Sequence, residues 1–255
     1  MLLQIEKSVK AEVVEEQILS AIPEWDLRPG YVIIGTYGSV EKQEQDLLQS
    51  VGSPTSDIPY GSEFRFAKDN LLLKRIWVNA PEENLESSEM IEGWLNLKPV
   101  PGLLRLLSPE MFDDKKSDYR WMSPDGKLLA AIEDTDTICS DDKFRLRVAQ
   151  DFDLLFAEQK WCGWLLSNPT RYLAKPNLEA DLDTELPLLA LEYISLVCDS
   201  NFDFLLDADT EFLQQLFGLR DKINLNKGAI KHRQIIYNAT EEIIERFYGN
   251  KVLAR

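Results

Sequence analysis

Five carboxylates lie within ten residues in the middle of the chain, and their types match those of a divalent cation site. They are Glu133, Asp134, Asp136, Asp141 and Asp142. Mg²⁺ and Ca²⁺ prefer oxygen ligands, so clustered carboxylates are able to hold either ion. A solvated loop between two strands also collects acidic residues and needs no metal. We favour the loop, and we therefore expect neither a metal nor another cofactor.

A glutamate and a lysine two positions apart form a second candidate site. Glu158 and Lys160 directly follow an apolar run. This pattern resembles the second half of the PD-(D/E)xK nuclease motif. In that family an upstream aspartate and the glutamate hold Mg²⁺, and the lysine helps to activate water. The resemblance implies Asp142, or else Asp141 or Asp136, as the upstream carboxylate. A Mg²⁺-dependent hydrolase is therefore the alternative function, although an exposed hairpin turn explains the same residues.

Histidine and cysteine are scarce, which limits nucleophilic and redox catalysis. A Ser–His–Asp or Cys–His site would have to use His232, the only histidine of the chain. The three cysteines are Cys139, Cys162 and Cys198. They lie far apart in sequence and form no C-x-x-C motif, so the sequence predicts neither a zinc site nor a dithiol redox site. Such thiols fit a reducing cytoplasm. The first residues lack a basic region ahead of an apolar run, and no apolar run reaches about 18 residues. We expect a cytoplasmic protein without a membrane span.

The net charge of the 255-residue chain is −16, from 44 acidic and 28 basic residues. A surface this acidic repels phosphate backbones and anionic lipid headgroups, so nucleic acid and membrane surfaces are poor partners. A protein with a basic surface is the electrostatic complement. The charge balance therefore favours a protein partner.

The acidic residues are most concentrated between positions 176 and 219, where there are ten acids and no lysine or arginine. Residues 220–255 carry eight bases and four acids. Opposite blocks adjacent in sequence are able to pair within the fold. The functional alternative is an acidic docking face, and its candidate binding residues are Asp181, Asp183, Glu185, Asp207 and Asp209.

The first of these acids also match the spacing of a calcium-binding loop. Asp181, Asp183, Glu185 and Glu192 occupy positions 1, 3, 5 and 12 of an EF-hand register. Position 6 of that loop must be glycine for its sharp turn, and here it is Leu186. Acids at the positive end of a following helix explain the pattern better.

The elements that position these residues indicate an α+β fold. The pattern predicts an amphipathic helix over residues 7–22 and a second helix over residues 40–49. The predicted strands are residues 31–34, 64–66, 71–78, 119–122, 128–132, 144–148, 154–157 and 161–166. Ser123-Pro124-Asp125-Gly126-Lys127 predicts a turn because proline presets φ and glycine supplies positive φ. Local turns between consecutive strands favour an antiparallel sheet.

The last third of the chain is predicted to be helical. A helix over about 184–197 is apolar nearly all round, which is typical of a core or an interface between copies in a homo-oligomer. A second helix starts at Asp209 or Thr210, and a capping box at Asn238 starts a last helix that ends at Gly249. We expect an α+β region over 1–175 and a helical region over 176–255, which share one core if they pack together.

No complete catalytic set is evident, and the strongest single feature is the acidic segment. We therefore predict a non-enzymatic, acidic cytoplasmic protein that binds another protein, as an inhibitor, an immunity-like protein or an adaptor. This prediction rests on charge and on analogy with acidic inhibitors, without sequence resemblance.

Overall fold

All the described strands lie in the first 167 residues, and most of the rest of the chain is helical. The computed structural model describes residues 1–28, 30–35, 38–53, 61–112, 117–133, 136–173, 178–223 and 225–252. Its strands are β1 (Leu2–Gln4), β2 (Lys10–Glu15), β3 (Pro23–Asp26), β4 (Tyr31–Ile34), β5 (Ser50–Gly52), β6 (Glu63–Ala67), β7 (Leu73–Asn79), β8 (Val100–Leu106), β9 (Tyr119–Met122), β10 (Leu128–Ile132), β11 (Lys143–Ala149), β12 (Phe152–Ala157) and β13 (Lys160–Ser167). Its helices are α1 (Val40–Leu48), α2 (Glu92–Leu95), α3 (Leu178–Leu182), α4 (Leu186–Leu196), α5 (Phe202–Leu206), α6 (Thr210–Lys222) and α7 (Ile230–Val252), with short 3₁₀ helices at Asp136–Cys139, Pro169–Tyr172 and Asp199–Asn201.

The larger sheet has eight strands in the order β1-β2-β8-β11-β12-β13-β10-β9. Neighbours in this order are antiparallel except β8 and β11, which are parallel. β1 also pairs with the start of β13, where Gln4 lies opposite Lys160. Six strands therefore form a closed ring, and β10 and β9 extend from β13. All six residues of β12 are buried because both of its faces are covered: Phe152, Leu154 and Phe156 pack in one apolar cluster, and Leu155 and Ala157 pack in another.

The smaller sheet is antiparallel throughout, with its five strands in the order β3-β4-β7-β6-β5. A bridge between Leu72 and Arg105 connects it to β8 of the larger sheet. Apolar side chains of the two sheets also meet directly, because the rings of Phe64 in β6 and Trp161 in β13 pack edge to face at 5.0 Å. The two sheets thus share buried side chains.

The C-terminal helices pack on the same buried core as the sheets. One contiguous cluster contains Leu154 and Trp164 from the larger sheet together with Leu189, Leu216 and Ile236 from α4, α6 and α7. Residues on both sides of the predicted division near 175 therefore belong to the same cluster. In the described part of the chain, no helix is both long enough and apolar enough to cross a bilayer.

Most of the locally encoded elements are confirmed. The structure is mixed α+β, and the predicted helix over 40–49 is α1. The turn at 123–127 joins the antiparallel strands β9 and β10, and the runs 154–157 and 161–166 are the hairpin β12–β13. The helix predicted over 184–197 is α4. Each of these predictions relied on a signal within about fifteen residues.

The helix predicted over residues 7–22 is wrong, because this segment contains the strand β2. Its ladder pairs Leu2–Gln4 on one side and Gly102–Leu106 on the other. Hydrogen bonds to two neighbours satisfy the backbone in place of a helix. Ile18 and Ile22, which completed the predicted apolar stripe, are exposed by 42% and 48%.

The last helix begins earlier than its predicted cap. α7 starts at Ile230, so Asn238 lies inside it and its side-chain oxygen accepts a hydrogen bond from Gln234 at 2.7 Å. The helix also continues through Gly249. The residues before the predicted cap are buried in the core, Ala229 and Ile236 completely, and the helix therefore extends back past Asn238.

Candidate functional site

The nuclease-like residues lie at a tight hairpin turn. Glu158 and Gln159 connect β12 to β13, and both have positive φ, at 49° and 64°. This conformation is typical of the two-residue turns that match the twist of paired strands. The carboxylate of Glu158 lies 3.8 Å from the amine of Lys160, and both side chains are about half exposed. The backbone nitrogen of Glu158 donates to the carbonyl of Asp142 at 2.8 Å.

The side chains of the turn, residues 158–160, are open to solvent. Asp141 and Asp142 are exposed. Asp134 lies outside the described residues, as does the side chain of Asp136. Among the residues that the structure describes, no group of three or more histidine, cysteine, aspartate or glutamate side chains is arranged to hold a metal ion. The nuclease-like function stays a prediction.

Asp183, one of the predicted docking residues, is instead buried in an ion pair. Its two carboxylate oxygens accept hydrogen bonds from Nε and Nη2 of Arg233, each at 2.6 Å. Backbone nitrogens of Ala229 and Leu186 also donate to it, at 2.9 and 3.3 Å. Burial alone would raise the pKa of Asp183, but the bonds from Arg233 and Ala229 outweigh it and hold the pKa below its usual value. Asp183 therefore joins the starts of α4 and α7.

The other acids between positions 181 and 192 also have cationic partners within the chain. These pairs are Asp181 with Arg171, Glu185 with Lys227 and Arg233, and Glu192 with Lys222. Nε and Nη2 of Arg171 donate hydrogen bonds to the two carboxylate oxygens of Asp181, each at 2.8 Å. The amine of Lys227, followed by the guanidinium of Arg233, lowers the pKa of Glu185. This half of the acidic segment is largely neutralised by cations of the same molecule.

The acids after residue 198 behave differently. Five of them lie between positions 199 and 211, and that segment has no lysine or arginine: Asp199, Asp203, Asp207, Asp209 and Glu211. Among the described residues, none of the five forms an ion pair. Asp209 caps α6 by accepting a hydrogen bond from the backbone nitrogen of Phe212 at 2.7 Å. Among the described side chains of the segment, the acids without an ion pair thus lie on α5 and its flanks.

Large apolar side chains are exposed between these acids. Phe202, Phe204 and Leu206 of α5 are 44%, 49% and 60% exposed, whereas Leu205 points into the core. We call this surface the acidic aromatic face, and define it as the three exposed apolar side chains with the five carboxylates: Phe202, Phe204, Leu206, Asp199, Asp203, Asp207, Asp209 and Glu211.

The rings of the acidic aromatic face are held in place by neighbouring helices. Phe202 packs edge to face on Phe247 of α7, with 6.4 Å between ring centroids. Phe204 stacks on Phe212 of α6 at 5.8 Å. The hydroxyl of Tyr248 donates to the carbonyl of Phe204 at 3.2 Å. Rings that are already ordered lose less conformational freedom when a partner binds.

Of the residues predicted from the sequence for docking, Asp207 and Asp209 belong to this face. Asp181, Asp183 and Glu185 lie in the ion-paired half of the segment. Sequence reasoning missed the exposed aromatic residues altogether. Their signal was present as a short apolar run, residues 202–206, that is interrupted by Asp203 and followed by Asp207.

Comparison of the chain with protein-family models, with curated proteins and with solved structures found no match.

Proposed function

We propose that this protein acts without catalysis, by binding a protein with a basic surface through the acidic aromatic face. The observation that carries the proposal is the coincidence of unpaired carboxylates with exposed, ordered aromatic rings. A few residues, often aromatic, supply most of the binding energy of an interface, and surrounding charges select the partner and speed its association. An inhibitor, an immunity-like protein or an adaptor would use such a face, and its location would be the cytoplasm.

Charge favours a basic protein over the other partners. Nucleic acid would bring phosphates against five carboxylates, which costs free energy at every contact. A second copy of this chain, docked face to face, would oppose the same carboxylates to each other. A basic protein is attracted by these five carboxylates.

The test begins with capture of a partner at about 0.01 M salt, followed by calorimetry with that purified partner. Raising the salt to about 0.1 M shortens the Debye length from roughly 30 to 10 Å, so we expect the affinity to fall. We expect Asp203→Lys to weaken binding by about ten-fold and Leu206→Ser by at least as much.

The helix α1 offers matched controls for both variants. Glu44→Lys makes the same change in net charge at an exposed site, and Leu48→Ser removes a side chain that is 74% exposed. We expect neither to change the affinity. Equal losses at α1 and α5, or binding that is indifferent to salt, would count against the proposal.

A further inference from the structure

A cavity of about 140 Å³ opens next to the acidic aromatic face, between the end of α4, α5 and α7. Its apolar lining is supplied by Tyr193, Val197, Phe202, Leu205, Ile243 and Phe247. Because Phe202 belongs both to this lining and to the acidic aromatic face, the cavity and the face are continuous. A partner bound on the face would therefore also cover the cavity.

The size and lining of the cavity suit a single side chain. An apolar cavity of roughly 150 Å³ accepts one benzene-sized group. The charged residues of the lining are exposed to solvent and so form its rim: Arg28 lies 3.6 Å from Glu242, and Arg246 lies over the ring of Phe247. Glu82 at the same rim is exposed. An apolar floor with a charged rim is the usual form of an anchor site in a protein interface.

We propose that this cavity is the anchor pocket of the binding face, and that it takes one leucine, methionine or phenylalanine side chain from a basic partner segment. Lysine or arginine residues beside that anchor would lie against Asp199 and Asp203, the unpaired carboxylates on either side of Phe202. The inference rests on the proposed function, since it names which part of the partner enters the molecule.

Cys198 provides a direct reporter of occupancy. Cys198 lines the cavity and is 7% exposed, and its thiol lies 3.3 Å from the carbonyl of Ser195. An anchor seated in the cavity would cover this thiol and slow its alkylation by iodoacetamide. Cys139 is exposed and lies in another part of the fold, so it serves as the internal reference.

The probe is a short synthetic peptide of alternating lysine and alanine with one central phenylalanine, and its matched control has alanine at the centre. We expect the phenylalanine peptide to bind the wild-type protein about ten-fold more tightly and to slow alkylation of Cys198 but not of Cys139. In Ala239→Met, where methionine fills the cavity from α7, both peptides should bind equally, through charge alone.

The outcomes separate the pocket from the function. If both peptides bind in a salt-dependent manner with equal affinity to the wild type, the anchor pocket is refuted and the basic docking function stands. If the ten-fold preference persists in Ala239→Met with Cys198 still reactive, the anchor lies elsewhere. If neither peptide binds at low salt, the proposed function itself fails. A cooperative thermal melt, as for wild type, shows that Ala239→Met is folded.

Discussion

Replacing Asp183 with asparagine tests whether this acid holds the fold together. The carboxylate links the starts of α4 and α7, and it is the main counter-charge of Arg233. The side chains of Arg233 and Asp183 are 0% and 2% exposed. Asparagine keeps the shape of the side chain but removes its negative charge and one of its acceptor oxygens. The guanidinium would then retain Glu185, which binds it at 2.9 Å and is half exposed.

The expected cost follows from the burial of the pair. Removing one partner of a buried ion pair costs about 3–5 kcal/mol, because the other charge stays buried without compensation. Because Arg233 keeps its contact with Glu185, we expect Asp183→Asn to lower the free energy of unfolding by about 3 kcal/mol, the lower end of this range. The pair of Glu192 and Lys222 is the matched control, with side chains 33% and 59% exposed. Because solvent screens it, Glu192→Gln should cost less than about 1 kcal/mol.

Urea unfolding followed by tryptophan fluorescence measures both variants. The signal comes from six tryptophans, three of which are fully buried: Trp94, Trp161 and Trp164. With an m-value of about 3 kcal/mol/M, Asp183→Asn should move the midpoint down by about 1 M. An unchanged m-value shows that stability alone has changed. A shift no larger than that of Glu192→Gln would refute the reasoning, and Asp183 would then be an ordinary surface acid.

Two further predictions concern the same network. A side chain at Gly228, where φ is +66°, would place its Cβ 2.1 Å from an oxygen of Asp183, so Gly228→Ala should lower the free energy of unfolding by about 3 kcal/mol or more. The control is Gly218→Ala, whose Cβ meets no atom within 4 Å and which should leave the free energy of unfolding unchanged or raise it by up to about 1 kcal/mol. Thermal melts compare the two variants. The pKa of Asp183 is lower in the folded than in the unfolded protein, so ionised Asp183 stabilises the fold. This stabilisation is complete above the unfolded pKa of about 3.9 and is lost as the pH falls through the lower pKa of the folded state. Urea midpoints measured across that window should fall more steeply for wild type than for Asp183→Asn, and parallel curves would contradict this assignment.

Local signals predicted the hairpins well because their hydrogen bonds close within a few residues. In the turn at 123–127, the hydroxyl of Ser123 accepts from the backbone nitrogens of Lys127 and Leu128, at 3.0 and 2.9 Å. Gly126 adopts φ +69°, as the turn requires. No distant residue is needed to make these bonds, and the sequence therefore carries the full signal.

Distant pairing explains the elements that were predicted wrongly. β2 is a strand because β8, about ninety residues later, supplies its hydrogen bonds. The stripe of Val9 and Val13 fits a helix or an irregular strand equally well until that neighbour is known. Tertiary contacts decide between two local structures whose own free energies are similar.

The amino-acid sequence by itself determined the net charge, the α+β class, the hairpins and the existence of an acidic segment between residues 176 and 219. Only the tertiary structure decided which of those acids are neutralised, because Arg233 reaches Asp183 across fifty positions of the chain. It also decided that Phe202 and Phe204 remain exposed while Leu205 is buried. Charge neutralisation and burial depend on which surfaces meet in space, and no local pattern contains that information.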